Sequence, residues 1–313
     1  MENRKKLISI VTPTYNEEGN IEQLYLTIKN FFRDLPIYEY EHLFIDNDSH
    51  DRSREILREI ASRDNHVKVI FNTRNFGHIR SPHYAMLQAG GDAVISLVAD
   101  FQDPPSMIID FLKKWEEGYK IVIGIKKKSE ENFFMFFIRK LFYNLLNKFS
   151  DIRLVKNFTG FGLYDRQFID ILSQIYDPYP YFRGLIPEFG LSRYEIEYTQ
   201  PVRKKGKSSQ SFGTLYDMAM LGFVNYSKIP LRMATFIGFI IAILSFLVAL
   251  GYLIYKLLFW YRFDVGLAPL VIGLFFFSSV QLIFIGIIGE YVGAIFTQIK
   301  KRPLVIEKER INF

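Results

Sequence analysis

Two stretches near the carboxyl end of the chain, Met233 to Tyr255 and Val265 to Gly289, run for about 23 and 25 residues without a charged side chain. Crossing the hydrocarbon core of a bilayer takes roughly 20 apolar residues in a helix, and lipid offers no partner to an unpaired backbone group, so each stretch predicts a membrane-crossing helix. The flanks set the orientation: Lys228 and Arg232 precede the first stretch, and Lys300, Lys301 and Arg302 follow the second. In the short link between them Arg262 is offset by Asp264, and only Lys256 weighs against the count. Basic flanks favour cytoplasmic outer ends joined by a tight hairpin. The basic N-terminus, MENRKKLISIV, loses its apolar character at Thr12-Pro13 and does not read as a signal peptide.

Among the 313 residues there is no cysteine, which excludes disulfides, thiolate metal sites and a cysteine nucleophile. The five histidines show no metal-ligand spacing. A net charge of +6 is compatible with nucleic acid, an anionic membrane or a phosphorylated substrate, but the basic residues flank apolar segments and form no single stripe, so nucleic acid is not the expected partner.

Ahead of the apolar stretches, short strand-like runs alternate with helical patterns. ISIVTPTYN leads to a helix near Asn20 to Asp34, EHLFIDNDS to one near Asp51 to Arg63, and VKVIFN to one through Tyr84 to Gln88. DAVISLVAD then precedes a helix near Ser106 to Glu117, followed by KIVIGI. Such alternation predicts an α/β fold with a mostly parallel, Rossmann-like sheet, whose ligands sit at the carboxyl ends of the strands. The polar residues gather at those ends, in Pro13 to Glu18, Asp46 to Asp51, Arg74 to Gly77 and Asp100 to Asp103. Ser49, Asp51 and Ser53 read first as helix caps. Asp100, with Gln102 and Asp103 close behind it, offers hard oxygen ligands suited to Mg2+ or Mn2+. Neither a G-x-G-x-x-G after the first strand nor a P-loop is present, so backbone cradling of a phosphate is not the expected mode.

TPTYNEE, IDNDSHDRS, RNFG, ADFQDPP, GFGLYDR, KKGKS, SKIPLR and GEYVGAIFTQIKKRP, in that order, resemble the inverting glycosyltransferases of family 2, with their GT-A fold. The subgroup resembled is that of polyprenyl-phosphate glycosyltransferases, which includes bactoprenol glucosyltransferases and dolichyl-phosphate mannose synthases. The resemblance implies that Pro13, Tyr15, Glu17 and Asp46 shape the nucleoside pocket, Asp46 accepting a hydrogen bond from the base. It implies that Asp100 and Gln102 hold Mg2+ or Mn2+ at the donor diphosphate. Arg203 and Lys207 would close over the phosphates as a mobile basic loop, and Asp165 and Arg166 would lie near the reacting centre. The chain departs from the family pattern at Val98, where the first acid of Asp-x-Asp is usual, at Asn47 and Asp48 in the second motif, and at Ser209.

The implied reaction moves a hexose, expected to be glucose, from a UDP-sugar to undecaprenyl phosphate at the cytoplasmic face of a bacterial inner membrane, as a homo-oligomer. Arg139 and Lys140, in the segment FFMFFIRKLFYNLLNKF, and the lysines at 126 to 128 are candidates for the acceptor phosphate, on an amphipathic helix lying among lipid headgroups. The expected layout is a cytosolic catalytic domain over 1–210, an amphipathic juxtamembrane segment over 211–232, spans over 233–258 and 265–292, and a cytosolic tail over 293–313. The competing readings are a family 2 transferase acting directly on a glycan or glycolipid, and an inactive membrane scaffold of the same fold.

Overall fold

A computed structural model describes residues 4–127, 155, 157–201, 224, 227–259 and 267–313. The chain begins with an alternation of strand and helix: β1 (Lys6–Thr14), α1 (Ile21–Arg33), β2 (Tyr38–Asp46), α2 (Ser53–Arg63), β3 (Val67–Asn72), α3 (Gly77–Gln88) and β4 (Ala93–Ser96). It continues through a short 3-10 turn at Pro105–Met107, α4 (Ile108–Glu116), β5 (Ile121–Lys126), β6 (Phe158–Asp165), α5 (Arg166–Ser173), α6 (Phe182–Glu188) and β7 (Arg193–Tyr198). Two long helices follow, α7 (Ile229–Leu258) and α8 (Leu267–Ile299), and the chain closes with β8 (Glu307–Ile311).

The eight strands form one sheet in the order β7-β5-β6-β4-β1-β2-β3-β8. β1 pairs in parallel with β2 and β4, β2 with β3, and β5 with β7, while β6 and β8 run the other way. Alternate residues of each strand feed opposite layers. From β1, Ile8 and Ile10 join the layer under α1 and α4, while Val11 joins the layer under α3, α5 and α6. Strands buried on both faces read as unbroken apolar runs, which is why IVI and FID segments stood out in the sequence.

Two expectations change here. The strand foreseen through Asp100 stops at Ser96, because β4 is flanked on one side by β1 and on the other by β6 only through that residue. Leu97 adds one more hydrogen bond, its N–H donating to the Val11 carbonyl at 3.0 Å, and the chain then turns. Residues 293–313 are not a free tail. β8 pairs antiparallel with β3, Arg58 binds Glu309 at 2.6 Å, and the Thr73 N–H donates to the Ile306 carbonyl at 3.0 Å. The sheet that the first strands begin is therefore finished by the last residues. Because β8 carries Glu307, Lys308, Glu309 and Arg310, it suits an edge strand and lacks the apolar signal of an inner one.

The two long helices include 30-residue stretches, Ile229–Leu258 and Leu270–Ile299, that are long and apolar enough to cross a membrane, and their side chains are exposed rather than packed in a core. At 1.5 Å per residue each stretch extends about 45 Å. Tyr291 ties the second helix to the entry of the first, its hydroxyl donating to the Ser227 carbonyl at 2.5 Å.

Candidate active site

The carboxyl ends of β1 to β4 lie along one rim of the sheet, and their loops are laced together by side chains. After β1, Asn16 takes a left-handed conformation (φ 55°) and its N–H donates to Ser49 Oγ at 2.9 Å. The Glu17 N–H donates to Ser53 Oγ at 2.9 Å, and the Glu18 N–H to Asp51 Oδ2 at 3.2 Å. In return the His50 N–H donates to Asn16 Oδ1 at 2.8 Å. Ser49 and Ser53, read from sequence as caps, thus serve the neighbouring loop. Asp51 serves it as well, while keeping a capping bond of 3.0 Å from the Ser53 N–H.

Asp46 ends β2 with no exposed surface. Its Oδ1 accepts the Ser49 N–H at 3.1 Å and Arg54 Nε at 3.1 Å, and its Oδ2 accepts the Ser49 hydroxyl. Arg54 also pairs with Asp48, itself in a left-handed conformation (φ 67°). The resemblance implies that Asp46 meets the donor base, and here it lies enclosed by its own loop. A carboxylate sealed beneath Ser49 and Arg54 shapes the loop, and the exposed rings on this side of the rim are Tyr15, 38% accessible, and His50, which meets the Tyr15 ring edge-on at 6.5 Å. Pro13 and Glu17 are half-buried beside them, and Glu17 Oε2 accepts Asn20 Nδ2 at 2.6 Å.

Asn47, which stands where the family pattern has an acid, joins β2 to the turn after β3. Its Oδ1 accepts the Phe76 N–H at 2.8 Å and Asn72 Nδ2 at 3.2 Å, and its Nδ2 donates to Asn75 Oδ1 at 2.8 Å. A carboxamide does both jobs, accepting and donating, where a carboxylate only accepts. The Asn16, Asn47 and Asn72 links had no sequence signal beyond the abundance of Asn and Ser at strand ends.

The fourth loop holds the acids. Asp100 is half-buried, and its Oδ1 accepts the Gln102 N–H at 3.1 Å across Phe101, whose φ of 60° makes the reversal. Asp103 is 4% exposed and accepts the Tyr198 hydroxyl at 2.8 Å and the Val98 N–H. Burial lifts the Asp103 carboxyl to about 6 and the Asp100 charge pushes the same way, against the Tyr198 bond and the Lys126 charge. Tyr198 reaches this position across Gly124, where a Cβ would stand 2.8 Å from Phe161 Cδ1 and 3.0 Å from Tyr198 Cε1. Asp103 therefore holds the backbone at Val98 from within the fold, and Pro104 and Pro105 then open the 3-10 turn.

Asp165 and Arg166 are not part of this rim. β6 runs antiparallel to β4, so Asp165 pairs with Ala93, seven residues before Asp100. Ala93 opens β4 and Asp100 lies beyond its other end, so Asp165 sits at the end of the strand away from the rim. Asp165 accepts Trp115 Nε1 at 2.7 Å and the Gln167 N–H at 3.0 Å, capping α5, and pairs with Lys120 at 3.2 Å. Arg166 donates to the Gly91 and Ala89 carbonyls, the latter at 2.7 Å. Because the strand before them is reversed, the contacts both make are structural ones at the amino-terminal end of β4, where the resemblance implies a place near the reacting centre. Arg139, Lys140, Arg203 and Lys207 lie outside the described residues.

The chain matches the model of glycosyl transferase family 2 over residues 9–171. It is 35% identical to the uncharacterized glycosyltransferase YkcC of Bacillus subtilis, over 95% of this chain and 92% of that one. It is 33% identical to the SfII prophage-derived bactoprenol glucosyl transferase of Shigella flexneri, over 96% of this chain and 97% of that one. A glycosyltransferase of Synechocystis, sll0501, is 32% identical over 96% of this chain. The strand order, the rim of polar loops and these similarities agree: the chain belongs to glycosyl transferase family 2, with the α/β fold of its GT-A members.

Proposed function

We propose that the protein transfers a hexose, glucose first among them, from a UDP-sugar to a polyprenyl phosphate, undecaprenyl phosphate in a bacterial membrane, with inversion at the anomeric carbon. The observation that carries this reading is similarity to a bactoprenol glucosyl transferase over nearly the full length of both chains, apolar helices included. The return of β8 to the catalytic sheet supports a topology in which catalytic domain and C-terminus share one side of the membrane, and the basic flanks of the spans favour the cytoplasmic side.

The acceptor phosphate is anionic at neutral pH, so one of its oxygens attacks the anomeric carbon without prior removal of a proton. As that bond forms, the bond from the same carbon to the donor diphosphate breaks, and the nucleoside diphosphate leaves with the electron pair. Catalysis in such a reaction rests on positioning and charge neutralisation. Tyr15, Pro13 and Glu17 line the nucleoside end of the rim. Arg203 and Lys207 are proposed for the donor phosphates, and Arg139 and Lys140 for the acceptor.

Among the described residues no group of three or more acidic or histidine ligands gathers to cage a metal. The Asp100 carboxylate and the Gln102 carboxamide in one tight turn still fit Mg2+ or Mn2+, which bind through few protein oxygens when waters and phosphates complete the shell. Bound there, the ion supplies positive charge to the leaving diphosphate.

The test is transfer of labelled sugar from a panel of UDP- and GDP-sugars to undecaprenyl phosphate by the purified protein, with Mn2+, Mg2+ or chelator. Labelling of the lipid from one donor, abolished by chelator, is the expected result. Labelling of a glycan acceptor with none of the lipid would replace this reading with direct glycan transfer.

A further inference from the structure

At the far end of the rim, where β3 turns into α3, three arginines come together without an acid. Arg74 and Arg80 both face the Phe76 ring, their guanidinium carbons 4.2 and 5.3 Å from its centroid. Arg80 Nη2 donates to the carbonyl of Pro303, which brings the residue before it, Arg302, into the same charge field. Burial and the like charges of Arg74 and Arg302 disfavour the charged form of Arg80, outweighing the favourable pull of Tyr179, and its Nε is buried without an acceptor. Among the described residues no carboxylate pairs with any of the three. Elsewhere on the sheet the arginines are matched: Arg54 with Asp46 and Asp48, Arg58 with Glu309, Arg310 with Glu307. The Phe76 π face offsets part of the repulsion, and guanidinium groups remain charged even when crowded.

The place of the cluster identifies what neutralises it. Arg302 follows the end of α8 at Ile299 by three residues, and Lys300 at the same joint folds back over the Phe296 ring at 3.9 Å. The joint is fastened to the catalytic domain by the Arg80–Pro303 contact and by the Thr73 hydroxyl, which donates to the Ile306 carbonyl at 3.1 Å. With α8 in a bilayer, these cations sit at headgroup depth, where anionic phosphate is the abundant counter-charge. Arginine is the side chain whose planar fork suits phosphate oxygens.

We propose that Arg74, Arg80 and Arg302 form a site for the phosphate group of a membrane lipid, held between the start of α3 and the exit of the second span. Occupied, it fixes the catalytic sheet against the membrane surface. The inference needs α8 in a bilayer but no particular transfer reaction. Two lipids carry this chemistry, an anionic phospholipid and a polyprenyl monophosphate.

The experiment is thermal unfolding of the purified full chain in a neutral detergent, with added phosphatidylglycerol, undecaprenyl phosphate or phosphatidylcholine. A ligand that binds only the folded state raises the Tm. The expected result is a rise of several degrees with one or both anionic lipids and none with phosphatidylcholine, lost in Arg80→Gln and in Arg302→Gln and largely kept in Arg302→Lys. A rise with the monophosphate alone assigns the site to the acceptor, and a rise with phosphatidylglycerol assigns it to the surrounding bilayer. No rise with either lipid, or a rise unchanged in Arg302→Gln, overturns the proposal. Arg302 is exposed, so its replacement is expected to leave the fold intact, and that variant decides the matter even if Arg80→Gln unfolds. Since no transfer is measured, a failed sugar-transfer assay leaves this result standing.

Discussion

Asp100 and Asp165 each follow a buried strand, and they end at opposite edges of the same sheet. Asp165 is enclosed by Trp115, Lys120 and the first turn of α5, so every strong contact it makes holds the protein together. Asp100 is half-buried in a turn built by Phe101 and Gln102, on the rim where four parallel strands deliver their loops. The difference comes from strand direction alone. β4 points its carboxyl end at the rim and β6 points its own away, so the same local pattern, an acid after an apolar run, yields the proposed metal ligand in one case and a helix cap in the other.

The sharpest way to break this comparison is to remove each acid in turn. Asp100→Ala is expected to cut sugar transfer by about 100-fold or more, since loss of even a supporting group around a metal costs about 10 to 100-fold. Unfolding temperature should stay near that of the parent. Transfer at the parental rate by a metal-dependent Asp100→Ala protein would take the metal away from this turn.

Asp165→Asn is expected to show the converse. It leaves Trp115 Nε1 and Lys120 beside a neutral carboxamide, and weakening a buried, charge-assisted hydrogen bond costs about 1–3 kcal/mol. The Tm should fall while turnover per folded molecule is preserved. A fall in turnover with an unchanged Tm would return Asp165 to the chemistry.

What was legible in the sequence, and what was not, follows the same line. The βαβ alternation, both long helices and the address of the rim came from apolar periodicity and strand ends, because parallel strands are buried on both faces and long spans are uncharged. The capping contacts of Asp165 were not legible, because sequence does not show that β6 reverses. β8 was missed because an edge strand alternating Glu, Lys, Glu and Arg carries no apolar signal. The burial of Asp46 was hidden as well, since only the folded chain shows Ser49 and Arg54 closing over it. The Asp103–Tyr198 contact joins residues 95 apart and left no local trace.

The interior between the two edges supplies a third test. His42 is fully buried in β2, where burial holds its imidazole down at about 3, and burial likewise lowers His83 in α3 to about 4. A base whose folded value lies below its unfolded one, about 6.5, lends stability that is fully present above that pH and is lost as pH falls toward the folded value. The Tm is therefore expected to be flat above about pH 7 and to decline as pH drops below about 6.5. His83→Leu should flatten part of that decline, and a slope unchanged in this variant would assign the acid sensitivity to other groups.

The smallest expected effect is the one that best refines the account of the rim. Tyr198 ends β7 immediately before the segment that leads to Arg203 and Lys207, and its hydroxyl holds Asp103 beneath the Asp100 turn. In Tyr198→Phe the ring still packs on Phe161, at a centroid separation of 5.5 Å, and still lies over Gly124, so the strand is undisturbed. What is lost is one donor to a buried carboxylate that already has the Val98 N–H, together with the hydroxyl's hydrogen bond with Thr159. Asp103 is then less firmly placed, and the turn carrying Asp100 and Gln102 is less well ordered for the metal. The expected outcome is a rise of a few-fold in the Mn2+ or Mg2+ concentration that half-saturates transfer, with kcat at saturating metal nearly unchanged. A purely structural role for the hydroxyl would lower the Tm and leave the metal titration where it was, so the split between these two readouts decides whether the turn's order, as well as its acid, separates the working edge of the sheet from the silent one.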